Sequence, residues 1–253
     1  MITETMKKIH KAKVIKNEMV SKNSFYVEFE TEYEFVSVPG QYISILCDNL
    51  TLRRPFSITK HIGKNIGVLI KERGEGTRFI KNLNVGSIAD FTGPLGSGFD
   101  IVNKKSLLVG AGIGIAPIFY LQNVLNSREV ENLSIAGFMS IDEIPSAIKA
   151  NKYITNDGSM GQKGSILDYI EDYIKAFRPE ILYSCGPHVV LEKVAQLAQK
   201  YSIESQIAME KVMACGIGVC RGCVIKVYKD GEITNATVCK DGPVFKGDEV
   251  VWR

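Results

Sequence analysis

The first hundred residues contain short apolar stretches in which β-branched and aromatic residues are common. Turn signals such as Val38-Pro39-Gly40 and Ile62-Gly63 separate these stretches. Short strands divided by turns are typical of an antiparallel β-barrel. We therefore predict strands at FYVEFET, QYISILC, RPFSIT and IGVLIKE, with Gly93-Pro94-Leu95-Gly96 as the exit from the barrel.

From about Lys104 the pattern changes to apolar strands that alternate with helical stretches. SLLVGAG, LSIAGF and ILYSCG read as strands, and IFYLQNVLN, ILDYIEDYIKAF and VLEKVAQLAQKY read as helices. Such alternation predicts a parallel α/β sheet. A third segment begins near Ser205, is rich in Gly and Cys, and ends in a small β-like piece around Cys223 to Val227.

The fold class that follows is multidomain α/β plus β. We expect an antiparallel β-barrel domain at residues 1–102, a parallel α/β domain at 103–204, and a small C-terminal subdomain at 205–253.

Four of the six cysteines lie close together in the third segment, at Cys215, Cys220, Cys223 and Cys239. A Cys-x4-Cys-x2-Cys run followed by a distant cysteine is the plant-type ferredoxin spacing, which ligates a [2Fe-2S] cluster. The glycines between them accept positive φ, so the loop can aim backbone N–H groups at sulfur. Structural zinc is the main alternative, although zinc ribbons usually present two Cys-x2-Cys pairs. Cys47 and Cys185 are expected to be small buried hydrophobes.

The segment Leu52 to Ile58 combines two arginines, an aromatic ring and a hydroxyl at a strand edge. A flavin adenine dinucleotide (FAD) needs such groups for its pyrophosphate, its flat ring and its reactive nitrogen. Taken alone, such a segment is more commonly a pair of surface arginines beside a core Phe, with no ligand. Gly74-Glu75-Gly76-Thr77 adds a glycine turn that leads into a helix and suits a phosphate. The expected flavin site comprises Arg54, Pro55, Phe56, Ser57, Ile70, Lys71, Glu72, Gly76 and Thr77.

Gly110-Ala111-Gly112-Ile113-Gly114-Ile115-Ala116-Pro117 follows a predicted strand and opens a helix, which is the context of nucleotide-binding turns. Pro117 takes the last position of Gly-x-Gly-x-x-Gly, where a first-turn proline loses no hydrogen bond. A tight turn without a ligand is the alternative. A second glycine turn lies at the end of a later strand, in Tyr183-Ser184-Cys185-Gly186-Pro187. Two such turns at the carboxyl ends of strands form the crevice in which parallel sheets bind ligands.

Composition narrows the function classes. A net charge of +3 is too small to indicate nucleic acid or an anionic membrane as a partner. The start MITETMKKIHKAK indicates neither a secretory signal nor a membrane anchor, so a cytoplasmic protein is expected. The three histidines are scattered and hydrolase or kinase motifs are missing, so we expect no catalytic acid or base.

In order and over most of residues 10–200, these motifs resemble the ferredoxin-NADP reductase superfamily. The resemblance implies that Arg54 meets the FAD phosphates, that Phe56 stacks in place of the commoner Tyr, and that Ser57 approaches the flavin N5. It also implies that the turn with Gly110, Gly112, Gly114 and Pro117 holds a nicotinamide dinucleotide. Cys185, Gly186 and Pro187 would lie near the nicotinamide ring.

With the cysteine segment included, nearly the whole chain looks like the electron-transfer subunits of NAD-linked dihydroorotate dehydrogenases. The stretches Met213 to Gly218 and Val238 to Phe245 carry this resemblance. It implies an FMN-containing dihydroorotate dehydrogenase catalytic subunit as partner, in a heterotetramer of two of each, and electron transfer through [2Fe-2S] and FAD to NAD⁺ in pyrimidine (UMP) biosynthesis. Subunits of sulfhydrogenases, sulfite reductases and bifurcating transhydrogenases share the layout and stay open as alternatives.

The choice of NAD over NADP depends on two acidic residues. Asp142 and Glu143 follow the strand LSIAGF, where a carboxylate can accept a hydrogen bond from a ribose hydroxyl. A solvated turn is the alternative. A redox sensor without turnover and a zinc-stabilised structural subunit are the other function classes, but both leave the flavin and nucleotide motifs unexplained.

Overall fold

The computed structural model describes residues 8–48 and 50–252. The first seven residues, on which part of the expectation about a leader rests, lie outside the described residues, as do Asn49 and Arg253. Within the described ranges, no helix is long and apolar enough to cross a membrane.

A closed antiparallel barrel forms the first unit and confirms the predicted fold of this region. Its strands are β1 (Lys8–Met19), β2 (Ser24–Glu30), β3 (Tyr42–Ile45), β4 (Arg54–Ile62), β5 (Asn65–Lys71) and β6 (Ile88–Leu95). They pair in the order β1-β2-β5-β4-β3-β6, and helix α1 (Glu75–Lys81) connects β5 to β6. The residues expected to mark the exit, Gly93 to Leu95, belong to β6 itself. Closure pairs every strand on both sides, so the barrel has no open edge.

The second unit is a largely parallel sheet with helices, as predicted. Its parallel strands are β7 (Ser106–Ala111), β8 (Asn132–Phe138), β9 (Lys152–Thr155), β10 (Gln162–Lys163), β11 (Ile181–Cys185) and β12 (Glu204–Ala208). Helices α2 (Ile115–Ser127), α3 (Ile166–Phe177) and α4 (His188–Tyr201) connect them. Every residue of β7 is buried, because helices cover both faces of a central parallel strand.

The cysteine segment contains a hairpin and a strand that returns to the sheet. Strands β13 (Val224–Lys229) and β14 (Glu232–Thr237) pair with each other, while β15 (Val244–Lys246) runs antiparallel to β12. The expected boundary between residues 204 and 205 therefore falls inside β12. Because β12 pairs with β11 over its whole length, we propose that the sheet unit extends to Ala208.

Candidate functional site

A cavity of about 610 Å³ lies where the barrel, the sheet and the cysteine segment meet. Its size is in the range of small-molecule and cofactor sites. Eleven of the expected cofactor residues line it: Pro55, Phe56, Ser57, Ile70, Lys71, Thr77, Gly112, Gly114, Cys185, Gly186 and Pro187. The flavin and nucleotide motifs, which are far apart in the sequence, therefore share one cavity.

The flavin motif lies on β4 at the wall of this cavity. Phe56 and Ser57 are half-buried, and strand pairing places Ser57 opposite Tyr42 of β3. An aromatic ring and a hydroxyl at a largely apolar wall suit a flavin ring system, which needs stacking and a hydrogen-bond donor.

Arg54 and Gly76 do not line the cavity but lie directly against each other. A Cβ on Gly76 would come within 2.9 Å of both Cγ and Nε of Arg54, so the arginine side chain crosses this turn in the space that glycine leaves. The Arg54 guanidinium donates to the carbonyl of Leu52 at 2.6 Å. The arginine thus lies beside the start of α1, where the resemblance puts the FAD phosphates.

Thr77 closes the turn before α1, and Glu72 lies away from the cavity. The Thr77 hydroxyl donates to the carbonyl of Gly74 and accepts from the backbone N–H groups of Arg73 and Gly74. Glu72 forms an ion pair with Lys81 at 2.8 Å, so its carboxylate is engaged within the barrel unit.

The two nucleotide turns contact each other through their main chains. Gly112 has φ of +54°, and the chain makes one 3-10 turn before α2 begins. A Cβ on Gly114 would lie 2.5 Å from the carbonyl carbon of Cys185 and 2.6 Å from the N atom of Gly186. Only a residue without a side chain permits this close approach of the two turns.

Gly110 and Pro117 lie behind the first turn. A Cβ on Gly110 would come within 2.6 Å of the Ile115 side chain, so this glycine allows strand β7 to pack against the start of α2. Pro117 is buried in the first turn of α2, as the sequence predicts. Both residues shape the turn without reaching the cavity.

Cys185 lines the cavity, and its thiol is in the neutral form. Burial raises the pKa of Cys185 to about 12, with the nearby charge of Glu210 acting in the same direction. A protonated thiol gives the nucleotide crevice an uncharged wall at neutral pH.

Glu143 lines the cavity and is held by the barrel. Its carboxylate accepts from Lys71 Nζ at 3.3 Å and from Asn23 Nδ2 at 3.2 Å. Asp142, by contrast, is exposed and does not line the cavity. Of the two acids that the sequence offers for a ribose, the structure brings only Glu143 to the site.

Backbone N–H groups point at the sulfurs of the cysteine segment, as expected for a cluster-binding loop. Cys215 Sγ accepts from Cys220 N at 3.4 Å, and Cys239 Sγ accepts from Gly218 N at 3.1 Å. Further N–H bonds reach Cys220 Sγ and Cys223 Sγ. Gly216 and Gly218 have φ of +67° and +86°, which lets the loop turn around the sulfurs.

The four thiols form two pairs. Cys215 lies against Cys220, whose N–H donates to its Sγ, and Cys223 lies against Cys239 through a bond of the same kind. Within the described residues, no three His, Cys, Asp or Glu side chains are grouped to hold one metal ion. The N–H groups of Cys220 and Ile217 lower the pKa of Cys215 to about 6, which favours the thiolate that binds metal. Two thiol pairs with N–H donors fit a centre of two irons.

Tyr42 is a functional candidate that sequence reasoning missed. Its ring lines the cavity, and its buried hydroxyl lies 2.9 Å from the carbonyl oxygen of Gly216 and 3.0 Å from that of Cys239. Burial, and then the nearby sulfurs of Cys239 and Cys223, raise the pKa of Tyr42, so the hydroxyl stays protonated and donates. An aromatic residue within a predicted strand normally indicates only core packing, so the sequence held no signal for this role.

Comparisons with known proteins agree with this geometry. The family described as the iron-sulfur cluster binding domain of dihydroorotate dehydrogenase B matches residues 210–251. A dihydroorotate dehydrogenase B (NAD(+)) electron transfer subunit of Caldanaerobacter subterraneus subsp. tengcongensis is 34% identical, over 96% of this chain and 98% of the relative. The protein of the same name from Clostridium acetobutylicum is also 34% identical, over 94% of this chain and 96% of its own length.

Solved structures give the same answer for the fold. The NADH-dependent reduced ferredoxin-NADP oxidoreductase, described for flavin-based electron bifurcation, superposes with a TM-score of 0.82 at 24% identity and covers 95% of this chain and 90% of its own. The ferredoxin reductase in carbazole 1,9a-dioxygenase has a TM-score of 0.68 at 18% identity and covers 78% of this chain and 66% of its own. With a ferredoxin-reductase fold and relatives matched over nearly its full length, the chain belongs to the family of dihydroorotate dehydrogenase B (NAD(+)) electron transfer subunits.

Proposed function

We propose that this chain passes electrons from an FMN-containing dihydroorotate dehydrogenase subunit through a [2Fe-2S] cluster and FAD to NAD⁺, in UMP biosynthesis. The observation that carries the proposal is the shared cavity. Its walls come from the flavin motif, from both nucleotide turns, and from Met209 and Met213, where the chain leaves the sheet for the cysteine segment. The sites proposed for FAD, NAD and the cluster thus adjoin in one chain.

The barrel side of the cavity holds FAD in this proposal. FAD exchanges electron pairs with nicotinamide and single electrons with an iron-sulfur centre. Pro55, Phe56 and Ser57 contribute the wall for the flavin ring. Arg54 and the turn with Gly76 and Thr77 lie beside it and bind the phosphates.

Cys215, Cys220, Cys223 and Cys239 are the cluster ligands in this proposal. Each thiol pair holds one iron, and the backbone N–H groups stabilise the negative charge on sulfur. The donors that bond the sulfurs set how readily the centre accepts an electron, because hydrogen bonds to sulfur stabilise its reduced state.

The nucleotide turns hold NAD in this proposal. Their main chain lines the cavity and accommodates the dinucleotide, while Cys185 borders the nicotinamide. Glu143 accepts a hydrogen bond from a ribose hydroxyl, and its carboxylate repels the additional phosphate of NADP. Lys71 and Asn23 fix this carboxylate in place.

The surface around the cysteines suits the catalytic subunit. Val212, Val219 and Ile217 are 90%, 77% and 43% exposed, and Cys220 beside them is exposed as well. Apolar side chains exposed together mark interaction sites. We propose that the FMN-containing subunit docks here, in a heterotetramer of two of each subunit. A cytoplasmic location is part of the proposal, because cluster ligation needs reduced thiols.

The test is dihydroorotate-dependent reduction of NAD⁺ by the anaerobically purified protein, mixed with the FMN-containing subunit of the same organism. Turnover that requires both subunits is expected. If NADH reduces the flavin rapidly but dihydroorotate does not reduce NAD⁺, the proposed reductase activity stands and the proposed partner is wrong.

A variant isolates the cluster step. Cys223→Ser should lower the iron content and block transfer to the partner, while NADH still reduces FAD. Unchanged iron together with unchanged coupled turnover would contradict the ligand assignment. Zinc in place of iron and sulfide would contradict the cluster.

A further inference from the structure

Tyr42 joins the flavin cavity to the cysteine loops. Its ring forms part of the cavity wall, and β3–β4 pairing puts it directly opposite Ser57, the residue assigned to the flavin N5. Its hydroxyl reaches out of the barrel to two carbonyl groups of the cysteine segment. One rigid aromatic side chain therefore touches both redox sites.

The two carbonyl groups belong to residues that control the thiols. Cys239 is itself a proposed ligand, and Gly216 directly follows another, Cys215. Cys239 is hydrogen-bonded at three of its atoms: its N–H donates to Cys223 Sγ at 3.4 Å, and its Sγ accepts from Gly218 N at 3.1 Å. Tyr42 supplies the third bond, at 3.0 Å to the carbonyl oxygen. The Gly216 carbonyl, which Tyr42 also holds, shares a planar peptide unit with the N–H of Ile217, and this N–H donates to Cys215 Sγ at 3.5 Å. Holding the Gly216 carbonyl therefore fixes the direction of an N–H···S bond to Cys215.

We propose that Tyr42 is a positioning residue for the iron-sulfur cluster, whose hydroxyl anchors the Gly216 and Cys239 loops onto the flavin domain and thereby sets the N–H···S bonds. The inference rests on the proposed function. Tyr42 is neither oxidised nor reduced, and the electron passes between cluster and flavin as before. The hydroxyl carries one proton for two acceptors, so it holds both loops with a shared hydrogen bond.

The contact between the Tyr42 hydroxyl and the two carbonyl groups is buried, so losing the hydroxyl leaves these carbonyls without a donor. Tyr42 is 3% exposed and Cys239 is 1% exposed, so water does not readily replace the lost donor. A buried acceptor left without its partner shifts a local equilibrium by about tenfold. We therefore expect Tyr42→Phe, which keeps the ring and removes only the oxygen, to release the loops about ten times more often.

The experiment compares wild type, Tyr42→Phe and the control Tyr120→Phe. Tyr120 is also buried, and its hydroxyl donates to the carbonyl of Ser37 at 3.0 Å, in a contact that involves no cysteine. The control therefore removes a similar hydrogen bond outside the cluster. For each protein we would measure FAD content, loss of iron to a chelator, the reduction potential of the cluster, and its electron paramagnetic resonance spectrum after reduction with dithionite.

Tyr42→Phe should keep its FAD and lose iron to the chelator about ten times faster than wild type, in line with the expected release of the loops. Its cluster potential should become more negative, since fewer N–H groups stabilise the reduced sulfurs, and its resonance spectrum should change. Tyr120→Phe should match wild type in all three cluster measurements. A merely structural tyrosine would not shift the potential or the spectrum.

Two results would overturn the proposal. One is a Tyr42→Phe protein with the wild-type potential, spectrum and iron retention. The other is a protein that loses FAD as well, because the effect would then lie in the barrel. Both results are measured on this chain without its partner subunit. A wild-type protein that holds the cluster but fails to couple dihydroorotate oxidation to NAD⁺ reduction would therefore contradict the proposed function and leave the role of Tyr42 standing.

Discussion

The main-chain contact between the two nucleotide turns makes Gly114 intolerant of a side chain. Its φ of −62° and ψ of −11° are ordinary for alanine, so Gly114→Ala adds no backbone strain. The added Cβ would nevertheless meet the carbonyl carbon of Cys185 at 2.5 Å and Gly186 N at 2.6 Å. Main-chain atoms cannot rotate away as a flexible side chain can, so the turns themselves must move.

The required movement sets the expected effect. Since non-bonded carbon atoms rest at about 3.5–4.0 Å, the turns must separate by roughly 1 Å. Overpacking of this kind costs about 1–3 kcal/mol of stability. A misplacement of about 1 Å near a reacting centre can lower its rate roughly a hundredfold. We expect Gly114→Ala to bind FAD normally and to slow its reduction by NADH about a hundredfold.

Anaerobic stopped-flow absorbance of the flavin after mixing with NADH measures this rate. Gly86→Ala is the control, because Gly86 has φ of +95° and a Cβ there meets nothing within 4 Å. Its strain should cost roughly 1–2 kcal/mol of stability and leave flavin reduction unchanged. The steric reasoning is refuted if Gly114→Ala destabilises the protein like the control and still reduces FAD at the wild-type rate.

Three further changes test the ribose contact, an ion pair and the docking surface. Glu143→Gln should reduce the preference for NADH over NADPH, measured as the ratio of kcat/KM values, and should cost under about 1 kcal/mol because its pair with Lys71 is partly exposed. Asp90→Asn should lower the free energy of unfolding at pH 7 by about 1 kcal/mol, since Asp90 is paired with Arg53 at 2.7 Å. Val219→Asp should weaken binding of the catalytic subunit about tenfold, measured by calorimetry, with iron content unchanged.

The Glu143 and Val219 changes each have a matched control. Asp142→Asn, next to Glu143 but exposed, should leave the NADH preference as it is. Ile62→Asp, on a residue that is 67% exposed at the end of β4, should leave subunit affinity unchanged. If Asp142→Asn behaves like Glu143→Gln, or Ile62→Asp like Val219→Asp, the effect comes from the change in net charge and the assigned contact is wrong.

The Asp90 prediction has a defined pH dependence. Burial acts to raise the pKa of Asp90, but hydrogen bonds and charges from Lys11 and Arg53 outweigh it and lower the pKa below its usual 3.8. A lowered carboxyl pKa contributes stability above the unfolded-state value, and this is lost as pH falls through the folded-state value. The difference between wild type and Asp90→Asn should therefore shrink below pH 3.8. A difference that stays constant there would contradict the ion-pair explanation.

The sequence predicted the elements whose residues favour one structure locally. The four expected barrel strands formed because β-branched and aromatic residues dominate them, as in β2, of which six residues are buried. Strand β1, however, was missed. It is rich in lysine and lies partly exposed, so its apolar positions, such as Ala12 and Val14, are too few to stand out. Only pairing with β2 and β6 makes it a strand.

Part of the candidate site could also be predicted from the sequence. Glycine turns and the cysteine spacing are recognisable there, because backbone conformation and metal ligation demand those residue types. Contacts between distant segments have no such sequence pattern. The link from Lys71 to Glu143 spans 72 positions, and the one from Tyr42 to Cys239 spans 197. Both residues of each pair suit many other environments, so only the folded chain identifies them.

The pairing of β12 with β15 also limits how this protein can be taken apart. The chain leaves the sheet after Ala208 and rejoins the same edge at Val244, so the cysteine loops form an insertion with both ends anchored on one strand pair. A chain cut at Ala208 would expose the backbone of β12, and open strand edges invite aggregation. Transplanting this electron-transfer unit onto another reductase therefore requires the return strand to travel with the cysteines.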